Sequence, residues 1–267
     1  MDVIILTTQA SALASVCLPH LVEAPGIRVK LIVNSQGIPP SRRRFIQRKL
    51  QKTLEVGPLG MLNGLRISRW YTRDTARLLG VEPLEQLAAR YGIPFEVTAT
   101  TNSPHTRDLF RRAEADLGLS LGNDYIAKSV FSIPRLGMIN IHHELLPAFR
   151  GAQSVIWQLY EGSTETGYTI HQIDSHIDTG HLLYRETMPI ELKPTLRETV
   201  SHNYARLFRA SAAGLVYTIT HYDELLSAAQ PQGEGRSFTT PTFKQFRRMV
   251  RQHRRLYRAL MEGGGGE

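Results

Sequence analysis

Two short stretches hold side chains suited to proton transfer and to holding a developing negative charge. One is Asn140–Gly151, NIHHELLPAFRG; the other is IDSHIDTGHLL, where Asp174 and Asp178 stand ahead of a Thr-Gly pair. Side chains on a strand alternate faces. Asn140 and His142 therefore point the same way, and Ile139 and Ile141 point the other way, into a core. A carboxamide can donate a hydrogen bond to an oxyanion. An imidazole moves protons near neutral pH. A carboxylate beside it orients the ring and favours its protonated form. Asp178 is the natural partner, because a tight turn at Gly180 follows it. Such a trio suits attack of an amine on a carbonyl carbon. With no Gly-x-Ser-x-Gly elbow, direct transfer between two bound substrates is favoured over a covalent acyl-enzyme. The same Asn-x-His at a strand end also reads as a hydrogen-bonded structural pair. His143 faces away from His142, and the ten histidines show no recognised ligand spacing, so no metal site is expected.

The elements that must position these residues alternate between strand and helix. VIILTT reads as a strand and ALASVCLPHLVE as the helix after it; IRVKLIV is a second strand. Residues 34–70 read as irregular, with a Pro-Pro turn, a basic helix, and Gly and Pro spaced through VGPLGMLNGL. They belong to an insertion beside the core, about 34–88. SPHTRDLFRRAEA starts with a Ser cap and a first-turn Pro, as helices do. LGLSLG and GMINIH are strands, and AQSVIWQLYEG is a helix that Gly162 ends. TGYTIHQID and TGHLLYRETMPI are further strands before a long helix from Thr195. The pattern predicts an α/β fold, a doubly wound and mostly parallel sheet with a C-terminal helical extension. Ligands then sit at the carboxyl ends of the strands.

A chain of 267 residues can bury a large core; 42% hydrophobic and 21% charged residues fit a soluble globular protein. One cysteine, Cys17, excludes an internal disulfide framework and fits the cytoplasm. The apolar run at the N-terminus is too short for a signal peptide or a membrane span. The net charge of +8 attracts phosphates. Much of it falls in 41–52 and 244–258, each an anion-binding surface or the solvated face of an amphipathic helix. The expected organisation is a catalytic domain over 1–228, then a linker, a basic amphipathic helix and a flexible glycine tail over 229–267. That helix carries Phe246, Met249 or Val250, His253, Leu256 or Tyr257, and Leu260 on one face. The stripe must pack on the body of this chain or on a second subunit, which would make a homodimer.

GMINIHHELLPAFRGAQSVIW followed by TGYTIHQIDSHIDTGHLLY resembles the folate-dependent formyltransferases. That family includes glycinamide ribonucleotide, methionyl-tRNA and sugar N-formyltransferases. Its motif runs Asn-x-His, Leu-Leu-Pro and a Gly, then Asp-x-Gly. The likeness is strong over about 117–190 and weaker over the first strand-helix unit and the long helix. It implies a Rossmann-like fold and a catalytic trio of Asn140, His142 and Asp178. It implies 10-formyltetrahydrofolate as the formyl donor to a primary amine. Asn140 would hold the formyl oxygen, His142 would stabilise that charge or shuttle the amine proton, and Asp178 would keep His142 charged. The folate would lie against Gly122, Asn123, Asp124, Tyr125 and Ile126, and against the loop starting at Asp174. Glu144, Arg150 and Gly151 are expected on the substrate side.

This chain departs from the family at three places. His143-Glu144 replaces a common Pro-Ser; Glu144 would hold a cationic amine or face solvent. The first loop, TTQASA, lacks the glycine-rich phosphate cradle of glycinamide ribonucleotide formyltransferase. The chain is also short for the C-terminal barrel of methionyl-tRNA formyltransferase. By elimination the expected acceptor is a nucleotide-linked amino sugar, with Trp70, Tyr71 or Trp157 stacking on its base or lying in the core. The alternatives are another amine, such as glycinamide ribonucleotide or aminoacyl-tRNA, and a non-catalytic nucleic-acid-binding protein on the same scaffold.

Overall fold

The apolar run Val3–Leu6 is buried throughout, as the middle strand of a parallel sheet must be. It forms β1 (Asp2–Thr7), followed by α1 (Leu13–Glu23) and β2 (Arg28–Ser35). The computed structural model describes residues 1–8, 12–37, 42–123, 125–151 and 153–263. The chain continues through α2 (Arg42–Arg69), a π turn (Trp70–Asp74), α3 (Thr75–Leu79), α4 (Leu84–Arg90) and β3 (Phe95–Thr98). Next come α5 (Pro104–Ala113), β4 (Leu117–Ser120), α6 (Lys128–Phe131), β5 (Met138–His142), β6 (Arg150–Gly151) and α7 (Ile156–Glu161). The remainder holds β7 (Glu165–Gln172), β8 (Leu182–Pro189), α8 (Leu196–Thr220), α9 (Tyr222–Ala228), β9 (Ser237–Phe238) and α10 (Phe243–Gly263).

Seven strands form one sheet in the order β3-β2-β1-β4-β5-β7-β8. The first five run parallel, and β7 and β8 add an antiparallel edge. The alternation of β1 divides the core. Val3 and Ile5 face the layer of α1, α4 and α8, while Ile4 and Leu6 face α5 and α6. This is the doubly wound α/β arrangement that the strand-helix alternation predicts, and the strand order reverses between β1 and β4. A crevice opens there, at the carboxyl ends of the strands.

Local signals set several ends. Ser103 accepts a hydrogen bond from the Thr106 amide to cap α5, with Pro104 in its first turn. Thr195 and Glu198 form a reciprocal capping box on α8. Gly162 ends α7 in the left-handed region, φ 84°.

One expectation needs correcting. The stretch 34–70 is mostly helix rather than irregular loop. Gly57, at φ 74°, breaks α2 ahead of Pro58, so two helical runs pack with Val56 and Ile67 buried. The residues 38–41 of that stretch lie outside the described ones, as do 264–267. Much of the C-terminal stripe packs on this chain's own body, one of the two alternatives expected, while Leu260 stays exposed. Met249 and His253 are buried, Phe246 tilts against Trp70 at 6.1 Å, and His253 Nε2 lies 2.8 Å from Thr199 Oγ1. The segment expected as a linker supplies β9, which pairs with β6. Among the described residues no helix is long and apolar enough to cross a membrane.

Candidate active site

β5 delivers Asn140 and His142 to one face at its carboxyl end, with Ile139 and Ile141 buried beneath. Both polar residues line a cavity of about 570 Å³. The loop after β7 brings Asp178 to the same place. Asp178 sits at φ 55°, a left-handed conformation that aspartate tolerates better than most residues. Its Oδ2 accepts a hydrogen bond from the Gly151 amide at 3.0 Å and lies 3.7 Å from His142 Nδ1. Asp174 closes the turn, its carboxylate accepting from the His176 amide and the Thr179 hydroxyl. Gly180 is obligatory, because a Cβ there would stand 1.9 Å from the Gln172 carbonyl oxygen.

The tautomer of His142 follows from its neighbours. Its Nε2 lies 3.0 Å from the Phe149 carbonyl oxygen, which only accepts, so Nε2 carries the hydrogen. Nδ1 is left toward Asp178. At 3.7 Å the two attract as charges once the ring takes a second proton, without a close hydrogen bond.

His171 is a member of the site that the sequence reading missed. It faces Asn140 across the β5/β7 pairing. Its Nδ1 donates to the Gln172 carbonyl at 2.8 Å, so its Nε2 is free to accept from the Asn140 amide at 3.2 Å. Burial holds this imidazole down at about 4, hence neutral at physiological pH. One amide hydrogen of Asn140 is thereby fixed and the other is left for the cavity. Only cross-strand register reveals this pair, and register is not written in a single strand.

The other expected residues divide. Gly122, Asn123, Tyr125 and Ile126 line the cavity, as do Asp174, Glu144 and Gly151; Asp124 lies outside the described residues. Asn102 pins this loop, its amide nitrogen donating to the Tyr125 carbonyl and its oxygen accepting from the Ala127 amide. Glu144 does not face solvent: it is 3% exposed, and Gln158 donates to its carboxyl. Burial raises that carboxyl to about 8, helped by the Asp178 charge, so at neutral pH it is mostly protonated rather than a ready anion for a cationic amine. Arg150 is not in the cavity wall. Its guanidinium donates to the Gly233 carbonyl at 2.9 Å and fastens the C-terminal segment instead. Gly151 acts through its backbone; at φ 98° a Cβ would meet the Phe238 carbonyl at 2.3 Å. Trp70 and Trp157 are core residues, and Tyr71 donates to the Ser154 carbonyl, so none of the three is placed to stack on a base in this cavity. Among the described residues no three His, Cys, Asp or Glu are grouped to hold a metal.

Residues 90–219 match the family described as Formyl transferase, and that stretch contains the Asn140, His142, Asp178 and His171 cluster. That stretch is just under half of the chain, and over it the chain is similar to the formyltransferases. It is 30% identical over 175 residues to methionyl-tRNA formyltransferase of Thermosynechococcus vestitus, covering 65% of this chain and 51% of the relative. It thus spans about half the length of that protein. The phosphoribosylglycinamide formyltransferase of Anaplasma phagocytophilum shares the fold at a TM-score of 0.56 and 15% identity, over 89% of this chain and 99% of that one. An N-formyltransferase from Helicobacter canadensis, solved with folinic acid and dTDP-3-aminofucose, does so at 0.53 and 14%, over 94% and 80%.

Proposed function

We propose that this chain moves a formyl group from 10-formyltetrahydrofolate to a primary amine, and that the amine belongs to a nucleotide-linked sugar. The observation that carries the chemistry is the convergence of Asn140, His142 and Asp178 on one cavity wall, with Asp178 3.7 Å from His142. The cavity fits a polar co-substrate. Among the described residues, Asn123 Oδ1, Gln153 Oε1 and Ser154 Oγ are buried without partners in its wall, and such atoms favour a ligand rich in N–H donors. Gly122, Asn123, Tyr125, Ile126 and Asp174 would hold the folate, which supplies an activated formyl group.

The chain's own groups divide the work. Asn140, steadied by His171, aims its free amide hydrogen at the oxygen that gains charge. His142 keeps Nε2–H on Phe149, takes the amine proton on Nδ1 and returns it to the folate nitrogen as the bond from that nitrogen to the formyl carbon breaks. Asp178 stabilises the imidazolium so formed. Glu144 borders the amine side; its buried carboxyl surrenders its proton most readily when a cation arrives, which would aid acceptor binding.

A sugar nucleotide as acceptor is supported by the likeness in fold to the Helicobacter canadensis protein, which was solved with dTDP-3-aminofucose. The likeness to methionyl-tRNA formyltransferase favours an aminoacyl-tRNA acceptor as the second reading. An acceptor screen separates them. The protein is incubated with 10-formyltetrahydrofolate and either amino-sugar nucleotides, glycinamide ribonucleotide or methionyl-tRNA, and mass spectrometry looks for an added formyl group. Formyl on the sugar nucleotide alone supports the first reading; formyl on methionyl-tRNA alone overturns it in favour of the second.

A further inference from the structure

A second cavity, of about 320 Å³, lies where the end of α2, the π turn and α3 meet the start of α8. Its wall contains Arg66, Arg69, Arg73, Arg77 and Arg197, with Asp74 as the one carboxylate. The first four recur at intervals of three and four residues, the spacing that aligns side chains along one helix face. Asp74 is already spent. Its two oxygens accept from Arg197 Nε and Nη2, each at 2.8 Å. Arg66, Arg69, Arg73 and Arg77 are exposed and have no hydrogen bond or ion pair among the described residues. Five guanidiniums against one carboxylate leave a net charge of +4 around a small concave space. Like charges one helical turn apart repel, so the bare arrangement costs stability unless an anion fills it.

We propose that this cavity is a second ligand site, one that takes the phosphate chain of a small polyphosphate, either free or esterified to a nucleoside. Guanidinium forks match phosphate oxygens two by two. A chain of three phosphates carries enough negative charge to balance the surplus. The volume sits at the small end of ordinary ligand pockets and does not require an extended polymer.

The site is separate from the formyl-transfer cavity, with no wall residue in common. The two are nevertheless neighbours through the π turn, a rare element that often marks function. Trp70, Arg73 and Asp74 of that turn border the arginine cavity. Tyr71, between them, packs edge-on against Tyr204 at 4.9 Å and donates to the Ser154 carbonyl, and both partners line the other cavity. Arg197 and Tyr204 stand about two turns apart on α8. A bound polyphosphate would therefore order the element that backs the acceptor side of the catalytic cavity.

Titration calorimetry of the full chain at fixed ionic strength tests this without reference to activity. Inorganic tripolyphosphate should bind saturably with one site per chain. The pair Arg69→Glu with Arg73→Glu should weaken it about a hundredfold or more, as expected for two lost charge-assisted contacts. In ligand-free protein Arg73→Gln should melt no lower than the parent, because it relieves repulsion; this shows that the weaker binding is not lost folding. Equal affinity for ATP and tripolyphosphate would mean that the arginines read phosphates alone, and tighter ATP binding that they also admit a nucleoside; both support the site. No saturation at millimolar tripolyphosphate, or binding that survives the charge reversal, overturns it. Preferential binding of a single-stranded RNA oligonucleotide through the same arginines, with no tripolyphosphate binding, also overturns it and makes this face a nucleic-acid surface.

Discussion

On the proposed mechanism His142 moves the amine proton, and its surroundings say what each substitution should do. His142→Ala should lower turnover by about 10²- to 10⁴-fold, the range for a positioned acid-base group, while leaving the melting temperature near that of the parent. Asp178→Asn should act in the same direction, because it removes the charge that stabilises the imidazolium. His171→Ala should lower kcat with little change in KM, because His171 touches Asn140, whose proposed role is to hold the formyl oxygen rather than the amine. Restoring an acceptor at that position with Gln should recover part of the rate. Glu144 yields a prediction about pH. Its value rises from an ordinary 4.5 to about 8 in the folded chain. The folded protein thus holds a proton that the unfolded chain releases, and stability falls as pH climbs through that window. Glu144→Gln should remove this slope, gaining on the order of a few kcal/mol at pH 8 relative to pH 5, which chemical denaturation at the two pH values would show. A slope unchanged by the substitution would mean that Glu144 is ionised in the fold.

The elements that hold these residues were legible to different degrees. Ser103-Pro104 and Thr195–Glu198 announce their helix starts through local chemistry, and the structure places caps at both. Thr195→Ala should cost about 1 kcal/mol of stability by melting. The face shared by Asn140 and His142 follows from strand alternation alone. Contacts that depend on register or on distant segments did not show. The pairing of Asn140 with His171, and the arrival of β9 beside Arg150–Gly151, join strands that no local pattern connects. In α2 the Gly and Pro residues read as loop signals, yet packing of Val56 and Ile67 won, and the break at Gly57 absorbed the conflict. Gly180 marks where an element and the chemistry meet. Gly180→Ala would drive a methyl into the Gln172 backbone and pull Asp178 away from His142. It should lose most turnover and stability together, in contrast to Asp178→Asn, which should lose turnover alone.

Across the whole molecule, the C-terminal segment is part of the body that frames the candidate cavity. β9 pairs with β6, Phe238 and Thr239 line the cavity, and α10 buries Met249 and His253 against the core. Ending the chain at Gln230 should therefore cost several kcal/mol, roughly the burial of a few large side chains, and should abolish turnover; a shortened chain that melts and turns over like the parent would contradict this packing. The doubly wound sheet was readable from alternation, whereas this wrap-around, and the arginine cavity on the helical insertion, emerge only when distant segments meet. Asn140, His142 and Asp178 together are the proposed formyl-transfer centre. It is tested most directly by following formyl transfer from 10-formyltetrahydrofolate to an amino-sugar nucleotide, by mass spectrometry, for the parent and for Asp178→Asn at matched folded concentration. Formylated product from the parent and a loss of about a hundredfold or more in the variant are expected. Equal rates from the two proteins would mean that Asp178 takes no part in the transfer.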